Sequence, residues 1–373
     1  MKTLILPSLF ATILTLSFSL FAKEKILVSL SVKEPLGMNS QILKEGVKLA
    51  YESQPKEIQE AYDIIFEDND GSLNETTSKL QHEIKKGGVI AIIGGMNTDQ
   101  ALYINIMSKK HKIPFITPYA TNPKVTEENP YAFRMCFDDV YQIDTLARYI
   151  HEEFKLSKGV ILVNDKQSYP IGIKDLFQKK FKQMAGTKIE VIPFSKTSNI
   201  DDKLIEKIKK AAPEFILLPS YEAEAAEVIS LLLENKVDAQ FFGTDSWGGQ
   251  ELLTGELKKI GKPFVGHYVQ HWSPEYKSEA NKKFLELKDS RPELKKYNTA
   301  ALLAPLAMGY ESVNFLFQAI KEKQDRNLVD TLKLISMTGV TGTVTMGEKR
   351  TPKKGLFMYE VTNAGEKFEK YFQ

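Results

Sequence analysis

Two stretches of this 373-residue chain carry hydroxyl and amide side chains where a sheet edge would present them to a small molecule. In VIAIIGGMNTDQ (89–100) an apolar run stops at Gly94-Gly95, and Asn97-Thr98 follow. In IPFITPYATNP (113–123) the run Pro114–Thr117 stops at Pro118, and Tyr119-Ala120-Thr121-Asn122 follow. Both polar groups stand beside helix starts, where free backbone N–H groups and the helix dipole attract an anion, most simply a carboxylate. Thr98 and Thr121 also suit a plain capping role, which hydroxyl residues often fill. Convergence of two such loops at one sheet edge favours a ligand pocket that performs no bond-making chemistry.

The elements that must position these loops follow from apolar patterning. Val89–Ile93 and Pro114–Thr117 read as strands buried on both faces of a parallel sheet, joined by a crossover helix over Thr98–His111. Lys25–Ser31 gives a first strand, the loop Val32–Ser40 leads into a helix through Gly46, and Asp63–Phe66 gives a second strand. The acidic run Glu67–Gly71 lacks the ligand spacing of an EF-hand and reads as a turn before a helix start at Asn74. Strands are expected at Gly159–Val163, Lys188–Ile192, Glu214–Leu218, Gln240–Gly243 and Gly266–Gln270, alternating with helices. Long helical segments follow from Ser278, and two strands, Gly342–Met346 and Leu356–Val361, close the pattern. Regular alternation predicts an α/β protein with parallel sheets.

The chain is too long for one core, so two lobes are expected, and no low-complexity linker separates them. The chain therefore passes back and forth between lobes. With 50 basic and 48 acidic side chains interspersed to a net +2, no electrostatic footprint for nucleic acid exists. Residues 1–22 combine Lys2 with an apolar run, Leu4–Phe21, and Ala22 before Lys23-Glu24-Lys25. This reads as a cleavable secretory signal, with an uncleaved anchor as the other reading. The single cysteine, Cys136, has no disulfide or metal partner and is expected to be buried.

Catalytic motifs are missing. The sequence holds no G-x-S-x-G, no Walker A motif and no G-x-G-x-x-G. His267 and His271 fall on a strand running into a loop without the further ligands of a zinc site, so no metal and no cofactor are expected.

The pieces IIGGMNTDQ (92–100), IPFITPYATNP (113–123), FRMCFDDVYQ (133–142), VNDKQSYPIG (163–172), FGTDSW (242–247) and GVTGTVTMG (339–347) follow one another in a telling order. Each alone is a strand end plus a turn. Together, from Lys25 to Val361, they resemble the type 1 periplasmic solute-binding proteins of the branched-chain amino acid-binding group of ABC importers. The resemblance implies two doubly wound lobes linked by three hinge crossovers: 23–140 with 272–336, and 141–271 with 337–373. It implies a ligand carboxylate held by Asn97, Thr98, Ala120 and Thr121, and an ammonium met by Asp245. Tyr169 and Tyr221 match aromatic positions of the second lobe that flank the ligand. Trp247, beside Asp245, is a candidate for the cleft lining.

Three departures bear on the ligand. Tyr119 stands where a small residue is common before Ala-Thr and would occupy pocket volume. Asn97 replaces a common serine, and Asp245 is one methylene shorter than the glutamate of leucine-type binders. The expectation is a non-enzymatic periplasmic protein that captures an amino acid or related small carboxylate and hands it to a membrane permease. The alternative is a sensor of the same fold acting through a partner.

Overall fold

A computed structural model describes residues 23–33, 37–248 and 261–373. The expected signal sequence, residues 1–22, lies outside the described residues. In chain order the described elements are β1 (Glu24–Leu30), α1 (Gly37–Glu52), α2 (Lys56–Ala61), β2 (Tyr62–Asp68), α3 (Leu73–Lys85), β3 (Val89–Gly94), α4 (Thr98–His111), β4 (Phe115–Thr117), α5 (Lys124–Glu127) and β5 (Ala132–Arg134). There follow α6 (Asp139–Arg148), β6 (Lys158–Asn164), α7 (Ser168–Phe181), β7 (Lys188–Phe194), α8 (Asp202–Ala211), β8 (Phe215–Leu217), α9 (Glu222–Glu234), β9 (Gln240–Phe242) and β10 (Val265–Gln270). The last are α10 (Glu279–Asp289), α11 (Ala300–Glu322), α12 (Leu328–Leu334), β11 (Ser336–Gly339), β12 (Gly342–Thr345), β13 (Leu356–Thr362) and β14 (Gly365–Phe372).

The first sheet runs β2-β1-β3-β4-β5, all parallel. Its strands are apolar on both faces because both faces are covered. Ile26, Val28, Ala91 and Ile93 point into one core with α1 and α11, while Leu27 and Ile92 join Leu80 of α3 and Ile104 of α4 on the other side. The second sheet runs β14-β13-β10-β9-β8-β6-β7. Val160, Leu162 and Ile216 face one core, and Ile161, Val163, Phe215 and Leu217 face the opposite one. Both lobes are doubly wound.

Close helix packing seals the first lobe. A Cβ on Gly46 would stand 2.0 Å from the Leu306 carbonyl oxygen, and one on Gly309 would stand 2.4 Å from that of Leu43. Only glycine lets α1 and α11 approach so nearly. Helix α11 is long and apolar enough to cross a membrane, yet 89% of its apolar window is buried inside the protein. It is a core helix.

The chain passes between sheets after β5, after β10 and before β13. Val344 and Met346 bury themselves in the first lobe's core, so the third passage falls after 346, later than the expected 337. At that passage a buried ion pair joins Lys354 to Glu311 of α11, and the Thr341 N–H donates to Glu311 Oε2 at 2.8 Å. The strands expected to close the chain do not pair with each other. Strand β12 pairs antiparallel with β11, and β13 lies antiparallel between β10 and β14. Strand β14 (GEKFEKYF) interleaves charged and aromatic residues along a sheet edge and lacks the apolar run by which the other strands were read. Helix α1 begins at Gly37, so the expected loop Val32–Ser40 is helical in its last residues, and its residues 34–36 lie outside the described residues. Ser72 rather than Asn74 starts the next helix, its side chain accepting from the Glu75 N–H.

Candidate functional site

The first-lobe loops are built as the breakers suggest. Gly95 takes φ 75°, which turns the chain after β3, and Asn97 caps α4 through a 2.9 Å bond from the Gln100 N–H to its Oδ1. Thr98 opens that helix with its hydroxyl buried and without a hydrogen-bond partner. The next loop is tied to the first. Thr117 Oγ1 donates to the Gly95 carbonyl at 3.0 Å and accepts from the Ala120 N–H at 3.1 Å. Arg134, fully buried at the end of β5, holds the same loop by donating to the carbonyls of Ala120 (3.0 Å) and Asn122 (2.8 Å) and to Thr126 Oγ1 (3.2 Å).

The second lobe faces these loops with Tyr169, Tyr221 and Asp245. The two tyrosine rings stack at 5.8 Å. Asp245 Oδ1 accepts from the Tyr169 hydroxyl, and Oδ2 lies 3.0 Å from His271 Nε2. The Asp245 N–H donates to Gln142 Oε1 at 2.8 Å, fixing the turn from the side of α6. The His271 ring is wedged between Phe137 (4.3 Å) and the edge-on Tyr119 (4.7 Å).

These residues line one small cavity of about 40 Å³ at the carboxyl ends of both sheets, its wall made of Asn39, Met96, Asn97, Thr98, Tyr119, Ala120, Thr121, Tyr169, Tyr221, Asp245, Ser246 and Gly248. Eight of the nine residues expected there lie on its wall. Trp247 does not, and that expectation is corrected: its indole is fully buried in the second-lobe core and donates to the Leu218 carbonyl at 2.9 Å. Adjacent residues of a tight turn point in different directions, so Asp245 faces the cavity while Trp247 anchors the turn. Asn39, Met96, Ser246 and Gly248 were not anticipated, nor were the supports Thr117, Arg134, Gln142 and His271. The order of residues carries no signal for contacts made at such separations.

The wall is polar and desolvated. Asn39 Oδ1, Thr98 Oγ1 and Thr121 Oγ1 are buried with no hydrogen bond of good geometry. Burial, then the nearby Asp245 carboxylate, pushes the Tyr119 and Tyr169 phenols well up; burial does the same for Tyr221, so all three remain protonated donors. Behind Thr121, burial and then the neighbouring Asp245 raise the Asp139 carboxyl to about 8. A wider groove at the amino ends of the first sheet, between Tyr62, Ile90, Pro114 and Leu328, has no such unpartnered buried atom. Unmet hydrogen-bonding capacity marks the inter-sheet cavity instead.

Two other groups that could do chemistry are engaged within the protein. His267 Nδ1 lies 2.9 Å from Glu369 Oε2, which also accepts from the Tyr149 hydroxyl at 2.7 Å. With Glu360 their ligating atoms fall within 4.8 Å of one another, a group of metal-binding type in which His267 and Glu369 already meet each other. His271 points away from it, toward Asp245. Cys136 is buried and its thiol is pushed up to about 12, which leaves it unreactive.

Two doubly wound lobes that share a polar cavity define a cleft-binding protein. Residues 28–366 match the family described as periplasmic binding protein, and the chain belongs to that family. The family is a solute-binding class rather than an enzyme class, and membership implies an extracytoplasmic location. Over its whole length the chain is 24% identical to Leu/Ile/Val-binding protein homolog 1 of Brucella melitensis, covering 99% of that protein. Its fold is similar to that of the branched-chain amino acid transporter substrate-binding protein LivJ of Streptococcus pneumoniae in complex with isoleucine: TM-score 0.78, 20% identity, 94% of this chain and 99% of that one. It is equally similar to an R. palustris ABC-transporter solute-binding protein in complex with 4-hydroxybenzoate: TM-score 0.78, 18% identity, 94% and 97% covered.

Proposed function

We propose that this protein captures an amino acid or a related small carboxylate between its lobes and delivers it to the permease of an ABC importer. The observation that carries the reading is the set of buried, unpartnered groups on the cavity wall, Thr98 Oγ1, Thr121 Oγ1 and Asn39 Oδ1. Buried hydroxyls without partners are costly unless a ligand completes them. Thr98 and Thr121 donate to the ligand carboxylate beside the start of α4, Asp245 receives an ammonium where one is present, and Tyr119, Tyr169 and Tyr221 cover the apolar part. Related folds hold isoleucine in one case and 4-hydroxybenzoate in another, and a carboxylate is common to both ligands. The lobes close around the ligand by motion at the three passages, and the closed form is the one a permease recognises. Export to the periplasm proceeds with cleavage after Ala22.

A thermal-shift screen over amino acids, hydroxy acids and aromatic acids tests this, since a ligand that binds only the folded form raises the melting temperature. A small acid that stabilises the protein, and whose effect Thr98→Val abolishes, is the expected result. Stabilisation by none of these acids, with native mass spectrometry finding a neutral sugar bound instead, refutes the reading.

A further inference from the structure

We propose that Asp139 stands behind the cavity as a proton-bearing positioning residue that orients the Thr121 hydroxyl, so that carboxylate capture depends on a proton held at Asp139. The inference rests on the capture reading above and adds its regulation.

Asp139 opens α6 at the first passage between the lobes and has no exposed surface. Its backbone N–H donates to the Thr121 carbonyl at 3.0 Å, and its carboxyl stands within hydrogen-bonding reach of the Thr121 hydroxyl. Carboxyl Oδ1 accepts from Gln142 Nε2 at 3.2 Å, while Oδ2 is buried with no bond of good geometry. Two facing groups favour a negative charge, the Thr121 hydroxyl and the Arg134 guanidinium, whose Nε is buried without a partner, but burial and the Asp245 carboxylate outweigh them. Arg134 of β5 directs its terminal nitrogens to Ala120, Asn122 and Thr126, and no ion pair among the described residues includes Asp139. Asp138 lies beside it, Asp245 faces it from the second lobe with His271 attached, and Cys136, Tyr169 and Tyr221 complete its surroundings as neutral groups. A carboxylate placed there is desolvated and repelled by its neighbours, so the proton stays on through neutral pH.

The state of that proton decides what Thr121 offers the ligand. A hydroxyl has one hydrogen and can accept through its lone pairs. Protonated Asp139 donates its O–H to Thr121 Oγ1, which frees the Thr121 hydrogen to point into the cavity and donate to an anion. Ionised Asp139 claims that hydrogen for itself. Thr121 then turns lone pairs toward the ligand carboxylate, and the charge-assisted bond is replaced by repulsion. No covalent bond to the ligand forms or breaks. Above the titration point, binding takes one proton from solution onto Asp139.

The full exported chain serves for the test, with L-isoleucine and benzoate as calorimetric probes at pH 7 and pH 9. With Asp139 titrating at about 8, about one molecule in eleven keeps the proton at pH 9, so affinity is expected to be about tenfold weaker there than at pH 7. Asp139→Asn and Thr121→Val are each expected to lose this pH slope, whatever their affinity at pH 7. A second measurement needs no ligand. The folded-state carboxyl titrates above its unfolded value of 3.8, so its contribution is complete below that value and declines as pH rises toward about 8. Urea unfolding should therefore show the native chain losing stability relative to Asp139→Asn over that interval. Parallel stability curves would overturn the proposal, because Asp139 would then be ionised and satisfied in the fold. Binding with a flat pH profile overturns the coupling alone. Binding of neither probe at either pH leaves the stability curves to decide the Asp139 proton, and the capture reading stands or falls with the wider acid screen.

Discussion

Replacing Thr98 by valine separates a residue that holds the fold from one that waits for a ligand. Valine has the same shape and branching, so packing at the start of α4 is kept and only the hydroxyl is lost. That hydroxyl is buried, Thr98 being 1% exposed, and it has no partner in the protein. Leaving such a group unpaired costs the empty protein about 1–3 kcal/mol, so its removal should leave stability unchanged or raise it by about 1 kcal/mol. The bound state behaves oppositely. A hydrogen bond to a charged carboxylate contributes about 1.5–3 kcal/mol, so the dissociation constant should rise about 10- to 150-fold. Urea unfolding of the ligand-free protein and calorimetric titration of the acid found in the screen measure the two effects separately. Asn97→Ala supplies the contrast, because Asn97 Oδ1 accepts the capping bond of α4 and its loss should cost about 1 kcal/mol of stability. If Thr98→Val destabilises the fold by more than about 1 kcal/mol and leaves affinity intact, Thr98 is a packing residue and the site argument fails.

Asp245→Asn should weaken amino acids at least about tenfold more than acids lacking an ammonium, because the carboxylate charge beside the cavity is removed; equal losses measured by calorimetry would take the ammonium away from Asp245. Lys354→Met leaves Glu311 buried without its cation, their side chains being 2% and 0% exposed, and should cost about 3–5 kcal/mol in urea unfolding. The double change Glu311→Leu with Lys354→Met should recover most of that loss, and a purely additive result would show that the pair is not coupled. Trp247→Phe gives up the bond to the Leu218 carbonyl and part of the core volume, so it should lower stability by about 1–3 kcal/mol, with affinity changing less than for Thr98→Val.

The fold was legible where residues obey one local rule. Strands β1, β3, β4, β6 and β8 are short apolar runs because both their faces are covered, and β3 and β4 end at the breakers Gly94-Gly95 and Pro118. Strand β14 escaped because an edge strand alternates charged and aromatic residues and carries no apolar run. The cavity loops were legible for a related reason: a hydroxyl placed just after a buried strand has few places to be except the carboxyl edge. The supports were not legible. Gln142 meets Asp245 across 103 residues and His271 meets it across 26, and only the folded chain brings them together. Trp247 shows the limit of adjacency, since a single turn sends one residue to the cavity and its second neighbour into the core.

The cavity wall has a consequence for lobe motion. Thr98 and Thr121 come from the first sheet's loops, while Tyr169, Tyr221 and Asp245 come from the second's, so a ligand touches both sets only at the separation seen here. A ligand with that requirement binds the closed arrangement better than an open one, and its differential affinity is the only free energy available for closure. Converting a chain that is about 1% closed into one about 99% closed takes about 5.5 kcal/mol. Asn39, Thr98 and Thr121 all belong to the first lobe, so their three unpartnered atoms serve a ligand in an open arrangement as well and set affinity more than closure. The free energy of closure must come from the second-lobe groups Tyr169, Tyr221 and Asp245. Substitutions at Thr98 or Thr121 should thus lower affinity, whereas Asp245→Asn should also reduce the closed fraction of the liganded protein.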